Sequence, residues 1–378
     1  MDKRKKHRIR GILPKILGVA FVLFGAFLAY ASLYRGKTEP PAKEIVTNQD
    51  GAVYSLEEQL QILSKKAELT EFAFADRENE MEKGTYVIPG LKSTRTLLTS
   101  EGDMPAVCTS MTPQGLAVTE KYVLISAYCH TMKHNSVIYV VDKETHQFIK
   151  EVVLPGQPHV GGLAYDSEHQ MLWYSSNTEE LAQAVNITMD TLETYNYDES
   201  QRPITVNQIC SLYGIVRDSF MVFYEGCLYV GCFTEHTRSA IARYAVDSEG
   251  NLINTIEEGL GMNFEMAVPL DYSTISAKAQ GMAFYEDKLL LSHSYGPFPS
   301  RIVFYEKSDK RLYVDENSAK SYQFPERMEQ ICVDGDDLYV LFESGAYAYR
   351  MTSANIVDRV LKLSLPRMAA YEAEGQAQ

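Results

Sequence analysis

The sequence predicts an all-β protein: a single β-propeller of five or six blades, each of about four antiparallel strands. The propeller follows an N-terminal transmembrane helix and a short α-helix. Two observations carry the fold. First, from about residue 84 apolar residues fall in short runs broken by turn signals such as Pro155-Gly156, Asp247-Ser248-Glu249-Gly250 and Asp334-Gly335-Asp336. Many short strands with regular turns mean a sandwich, a barrel or a propeller. Second, one form repeats. "QGLAVTEKYVLISAY", "GGLAYDSEHQMLWYSS", "DSFMVFYEGCLYVGCF", "QGMAFYEDKLLLSHSY" and "EQICVDGDDLYVLFES" each place an apolar strand, a turn and a second apolar strand in that order. Their equivalent residues Leu116, Leu163, Met221, Met282 and Ile331 are 47, 58, 61 and 49 positions apart. That period, with three or four strands per unit, is a propeller blade. A lone four-stranded sheet leaves a face bare, whereas blades in a ring cover one another.

The elements follow in order along 378 residues. Residues 1–15 read as a cytoplasmic basic segment, with Lys3, Arg4, Lys5, Lys6, Arg8 and Arg10 crowded together. Ile16–Tyr34 holds no charge over 19 residues, which as a helix spans about 28 Å, the depth of a bilayer's hydrocarbon core. Positive charge before it predicts a cytoplasmic N-terminus and an exported body. A retained anchor is favoured, with a cleaved signal peptide as the alternative that Ala29-Tyr30-Ala31 permits. The expected location is therefore the cell membrane, single-pass, with the C-terminal domain outside, or else secretion. Residues 35–83 read as a linker, carrying one helix at 55–69 with a Ser55/Glu58 capping box. The propeller is expected over 84–366 and a disordered tail over 367–378.

Within the propeller, "NSVIYVVD", "QAVNITMD", "SAIARYAVD", "SRIVFYEK" and "GAYAYRMT" are expected as third strands. The longer intervals predict inserted loops near 198–212 and 255–278. A sixth blade is open to residues 84–111 together with "NIVDRVLKLSLP" (355–366), which would close the ring between the chain ends.

Charge narrows the partners. Fifty acidic residues against 36 basic give a net −14, which excludes the basic footprint of a nucleic-acid binder. Six cysteines permit disulfides in an exported chain, and Cys129 reads as half of one, with Cys108 its nearest candidate partner in sequence. No CxxC or thiolate zinc spacing is present, nor a G-x-S-x-G elbow, P-loop or H-E-x-x-H motif.

Residues 136–176 resemble the YVTN-type repeat of bacterial surface and secreted β-propellers. The resemblance rests on the strand ending at Asp142, the Lys143-Glu144-Thr145 turn, the strand into Leu154-Pro155, and Pro158-His159-x-Gly161-Gly162 before a strand with its Asp166 turn. "MEQICVDGDDLYVLFESGAYAYR" is similar to the last blade of uncharacterised exported bacterial propellers. A more distant similarity reaches gluconolactonase-like and NHL propellers. These likenesses imply a fold and leave activity open.

The residue just before each innermost strand faces the axial mouth of a propeller. Aligned repeats put Gln114, His159, Asp218, Gln280 and Glu329 there as one polar ring, with Tyr128, Trp173, Phe233 and Tyr295 as rim aromatics. Arg217 and Glu235-His236 stand nearby. Three roles follow for the ring. It bonds waters and loops; it binds a small polar ligand such as a sugar or peptide, or another surface protein; or it holds a divalent ion. In the last role Asp218, Glu329 and His159 would ligate calcium or a similar cation, which would activate water for a lactonase-type or esterase-type hydrolysis. The gluconolactonase-like ligand set of Glu, Asn and Asp is not matched by the His and Gln here. A non-enzymatic binding role is preferred. His130 and His134 read as a solvated loop, and Ser292-His293 as adjacent strand residues on opposite faces.

Overall fold

The computed structural model describes Gly25 and residues 52–74, 84–178, 181–259 and 262–371. The expected membrane span at Ile16–Tyr34 lies outside these residues except for Gly25. Among the described residues no helix is long and apolar enough to cross a membrane.

The chain enters as two helices, α1 (Leu56–Leu63) and α2 (Ala67–Phe74). The Ser55/Glu58 capping box forms as the sequence implied. A single helix over 55–69 does not, because the chain turns between Leu63 and Ala67. Leu63, Leu69 and Phe72 are buried against the propeller, so this segment packs on the body. Asp358 fixes its start, its Oδ2 accepting from the Val53 and Tyr54 amides at 2.7 and 2.8 Å.

Strand β1 (Thr85–Val87) precedes a hairpin of β2 (Thr94–Leu98) and β3 (Met104–Cys108). Blade 1 follows: β4 (Met111–Val118), β5 (Tyr122–Cys129), β6 (Val137–Asp142) and β7 (Phe148–Val153). Blade 2 is β8 (Leu163–Asp166), β9 (Met171–Asn177), β10 (Ala182–Thr188) and β11 (Gln208–Ser211). Between its last two strands lie α3 (Met189–Thr194) and α4 (Tyr197–Ser200). Blade 3 begins with β12 (Phe220–Tyr224), β13 (Cys227–Gly231) and β14 (Ser239–Ala245). The hairpin of β15 (Asn254–Gly259) and β16 (Met262–Ala267) interrupts it, and β17 (Asp271–Ile275) completes it. The insertion expected at 255–278 is thus a ribbon plus the outer strand of the blade. Blade 4 is β18 (Ala279–Tyr285), β19 (Lys288–His293), β20 (Ser300–Glu306) and, beyond the short β21 (Leu312–Tyr313), β22 (Lys320–Phe324). Strand β21 lies parallel to β17 and extends blade 3. Blade 5 is β23 (Met328–Asp334), β24 (Asp337–Phe342), β25 (Arg359–Ser364) and, from the start of the chain, β1.

There are therefore five blades, and the sixth is resolved by topology. β1 pairs with β25, Tyr86 opposite Val360. The chain ends do close the ring, but inside blade 5. The segment "GAYAYRMT" is not the third strand of that blade; α5 (Tyr347–Arg350) forms there, and "DRVLKLS" supplies the strand. Leu365–Ala370 (α6) is helical, with Leu365 and Met368 buried, so disorder does not begin at residue 367.

Strand alternation builds the core. Along β4, Leu116 faces the interface with blade 5 and Ala117 that with blade 2. Along β12, Phe220 faces blade 4 and Met221 faces blade 2. Successive side chains point to opposite faces of a sheet, so each blade serves two interfaces. The buried apolar residues accordingly fall into five clusters, one between each pair of neighbouring blades. Trp173 is wholly buried in the cluster between blades 2 and 3; it is a core residue and not a rim aromatic.

Candidate functional site

An innermost strand has a sheet neighbour on one side only. Its other edge presents backbone groups to the axis, and buried backbone groups need partners. The fifth blade supplies them. Gln330 reaches across the axis, its Oε1 accepting from the amides of Leu116 (3.2 Å) and Leu163 (2.8 Å). Its Nε2 donates to the carbonyls of Leu163 (2.6 Å) and Met221 (2.8 Å). One side chain from blade 5 thus satisfies four backbone groups of blades 1, 2 and 3. The register explains why there is room. Two residues along, Leu116, Leu163, Met221, Met282 and Ile331 are equivalent, and the preceding position is Gly115, Gly162, Phe220, Gly281 and Gln330. A Cβ on Gly162 would stand 2.7 Å from Met221 Cγ, and one on Gly281 2.7 Å from Gln330 Cα. Glycine lets the inner strands close on the axis, and Gln330 fills what remains.

The mouth lies at the start of these strands. A cavity of about 940 Å³ opens there, and Gln114, His159, Asp218, Gln280 and Glu329 all line it. Their register is less regular than the sequence alignment implied. Gln114, Gln280 and Glu329 stand within strands β4, β18 and β23, whereas His159 and Asp218 precede β8 and β12. The positions equivalent to Gln114 are Gly161 and Ser219, which lie just before β8 and β12. The polar residues of blades 2 and 3 reach the mouth from connecting loops.

The densest chemistry sits on the blade 5 side. Glu343, at the end of β24, accepts from Gln114 Nε2 at 2.9 Å and lies 3.5 Å from Arg327 Nη1. Arg327 precedes β23 in a left-handed conformation (φ 61°). Its Nε donates to Ser353 Oγ at 3.0 Å and its Nη2 to Thr352 Oγ1 at 2.9 Å. The guanidinium also lies 4.1 Å over the Tyr349 ring. Burial pushes the Glu343 carboxyl up to about 7, with Arg327 and Gln114 opposing. Burial and the neighbouring Glu343 charge push Glu329 well above the usual carboxylate range. Burial does the same to Asp218, although its Oδ2 accepts from the Ser176 amide at 2.8 Å. Protein packed around the mouth lowers the His159 pKa, with His130 and Arg217 adding, while the ring itself faces the open cavity and lies 4.2 Å from the Tyr128 ring. Near neutral pH the mouth therefore carries less carboxylate charge than three ordinary carboxylates would, and many groups that both donate and accept.

Aromatic surface comes from Tyr128, Phe233, Tyr295 and Tyr349, all lining the cavity. Phe233 and Tyr295 stack at 6.3 Å. Arg217 also lines it, while His236 is exposed and pairs with Glu235 at 3.0 Å. The sequence reading missed Glu343, Arg327, Tyr349 and Gln330. For Glu343 a signal existed: antiparallel pairing sets the end of each second strand beside the start of the first, where Tyr128, Ser294 and Glu343 are equivalent.

Asp218, Glu329 and His159 do not bring their ligand atoms together. Among the described residues one group of three such side chains does, with all ligand atoms within 4.8 Å of one another: Cys108, Cys129 and His134. His134 is consequently not in a solvated loop; it is buried, its Nδ1 lying 3.3 Å from Cys129 Sγ. Ser292 and His293 face apart as expected. Ser292 Oγ donates to the Glu329 carbonyl, and His293 Nδ1 contacts the Ala277 carbonyl.

No protein-family model and no curated protein matches the chain. Among solved structures it is similar to an aldose sugar dehydrogenase of Streptomyces coelicolor with bound PQQ. The identity is 15% over 73% of this chain and 99% of that one, at a TM-score of 0.40. It is also similar to the RRP9 WD40 repeats, at 9% identity over 74% of this chain and 99% of the other, TM-score 0.36. A third similarity is to a chain of the nidogen/laminin complex, at 12% over 66% and 84%, TM-score 0.36. Likeness at this level says nothing about activity.

Proposed function

We propose that the protein is an exported, membrane-anchored β-propeller that binds a small, uncharged, hydroxyl-rich ligand of the saccharide class in its axial mouth. The observation that carries this is the buried cluster of Glu329, Glu343, Arg327 and Gln114 on the wall of a roughly 940 Å³ cavity. Ligand pockets span about 300–1,000 Å³ and gather a few convergent polar groups. Carboxyls whose pKa burial raises can donate as well as accept, which suits alternating hydroxyls, and Tyr128, Tyr295 and Tyr349 offer apolar ring faces. Gln330 closes the axis, so the mouth is a cup. The alternative of a calcium-dependent hydrolase at the ring needs Asp218, Glu329 and His159 to converge on one cation, and they do not.

The test is thermal melting of the full-length chain against a panel of neutral mono- and disaccharides. A ligand bound only by the folded state raises the midpoint by mass action. At least one saccharide should raise it, and Tyr349→Ala or Arg327→Ala should abolish the rise. No midpoint rise with any saccharide, or an undiminished rise in both variants, refutes the proposal.

A further inference from the structure

A second site lies outside the mouth, where the β2–β3 hairpin meets blade 1. This hairpin belongs to no blade, and it is joined to the loop after β5 by hydrogen bonds, including Thr96 Oγ1 to the Asn135 carbonyl at 2.8 Å and Thr99 Oγ1 to Asn135 Oδ1 at 2.6 Å. The Thr99 amide donates to the Lys133 carbonyl at 3.1 Å and the Asn135 amide to the Leu97 carbonyl at 2.9 Å. Between them Cys108 ends the hairpin, Cys129 ends β5, and His134 stands in the loop. Their exposures are 0, 1 and 4%. Two sulfurs and an imidazole nitrogen thus face one another in a closed space, all within 4.8 Å. The measured pair, Cys129 Sγ to His134 Nδ1, is 3.3 Å apart. The Thr131 hydroxyl lies 3.1 Å from Cys129 Sγ, and the Ser110 amide donates to Cys108 Sγ at 3.3 Å.

We propose that Cys108, Cys129 and His134 bind a zinc ion that staples the β2–β3 hairpin to blade 1. Tetrahedral zinc takes sulfur at about 2.3 Å and imidazole nitrogen at about 2.0–2.1 Å, which sets ligand atoms roughly 3.3–3.8 Å apart. The group needs only small adjustment to reach that geometry. Two thiolates and an imidazole select a borderline-soft metal over calcium or magnesium, which prefer oxygen. The fourth corner is left to a water or to the Thr131 hydroxyl. Spacing along the chain hides the site, since the ligands come from a hairpin, a strand end and a loop rather than a compact motif.

The probe is cobalt(II) added to the reduced, metal-stripped full-length chain, followed by zinc. A thiolate-to-cobalt charge-transfer band should rise to one equivalent and vanish when zinc displaces cobalt. Cys129→Ser should abolish the band and His134→Ala should weaken it, while Cys332→Ser, in blade 5, should leave it intact. Zinc should also raise the melting midpoint of the wild-type chain. If Cys129→Ser fails to fold, the wild-type band and the Cys332→Ser control still decide. Absence of a band in the reduced wild type overturns the proposal. So does loss of the band in Cys332→Ser, or an intact-mass measurement showing Cys108 and Cys129 joined as a disulfide in the protein as isolated.

Discussion

Gln330 holds the axis, so its removal is the sharpest test of how this ring is closed. Gln330→Met keeps an unbranched side chain of similar length and deletes all four hydrogen bonds. The partners left behind are the amides of Leu116 and Leu163 and the carbonyls of Leu163 and Met221. Gln330 itself is 1% exposed, so few waters can take its place. At about 0.5–1.5 kcal/mol for each bond, with larger penalties for buried groups left unpaired, the variant should lose about 3–6 kcal/mol. Folded domains hold only about 5–15 kcal/mol in total, so the loss should be visible as a large fall in the urea midpoint at unchanged slope. Amide exchange gives a local readout: Leu116 and Leu163 should lose protection first. A Gln330→Met variant within about 0.5 kcal/mol of wild type, with both amides still protected, would refute the axial-plug account.

Other outcomes follow from the same geometry. Glu343 has its pKa raised from 4.5 to about 7, so the folded state keeps a proton that the unfolded chain releases. Stability should therefore fall as pH rises from about 4.5 to about 7, by on the order of 3 kcal/mol. Urea titrations across that range should show a smaller fall in Glu343→Gln than in wild type, the remainder coming from Glu329 and Asp218, whose carboxyls burial also raises; parallel curves would contradict the assignment. Gly162→Ala places a methyl 2.7 Å from Met221 Cγ and 2.9 Å from its amide, and should cost about 1–3 kcal/mol by forcing blades 2 and 3 apart. A neutral result in thermal melting would mean the blades yield there. Asp358→Ala removes the acceptor of two amides and should release the segment before α1, seen as faster proteolytic cleavage around residues 64–66. Unchanged cleavage would show that Leu63, Leu69 and Phe72 suffice to hold it.

Much of the architecture was legible because a repeated strand pattern fixes it locally. The alternation of Leu116 with Ala117, and of Phe220 with Met221, already states that each sheet buries both faces. The five copies of that pattern state the blade number once topology assigns the ends. "GAYAYRMT" misled because its apolar spacing suits a strand, while the true third strand lay beyond an added turn. The mouth was partly legible: the five polar residues converge, but two of them arrive from loops. Glu343 was legible only through antiparallel register, which sets the end of a second strand beside the mouth; Arg327 was not found because nothing along the chain says that a residue before β23 will share its buried space.

By itself, then, the sequence determined what short-range pattern can determine: strands, their period, two-faced burial and the polar character of one end of the ring. Tertiary structure decided what depends on meetings between distant segments. β1 joins β25 across the whole chain, Gln330 pairs with three other blades, and Glu329 meets Glu343 under Arg327. Cys108, Cys129 and His134 gather although their spacing forms no motif. The physical reason is the same in each case. Pattern follows from local geometry, whereas the partners of a buried polar group are set by which backbones the closed ring brings to it.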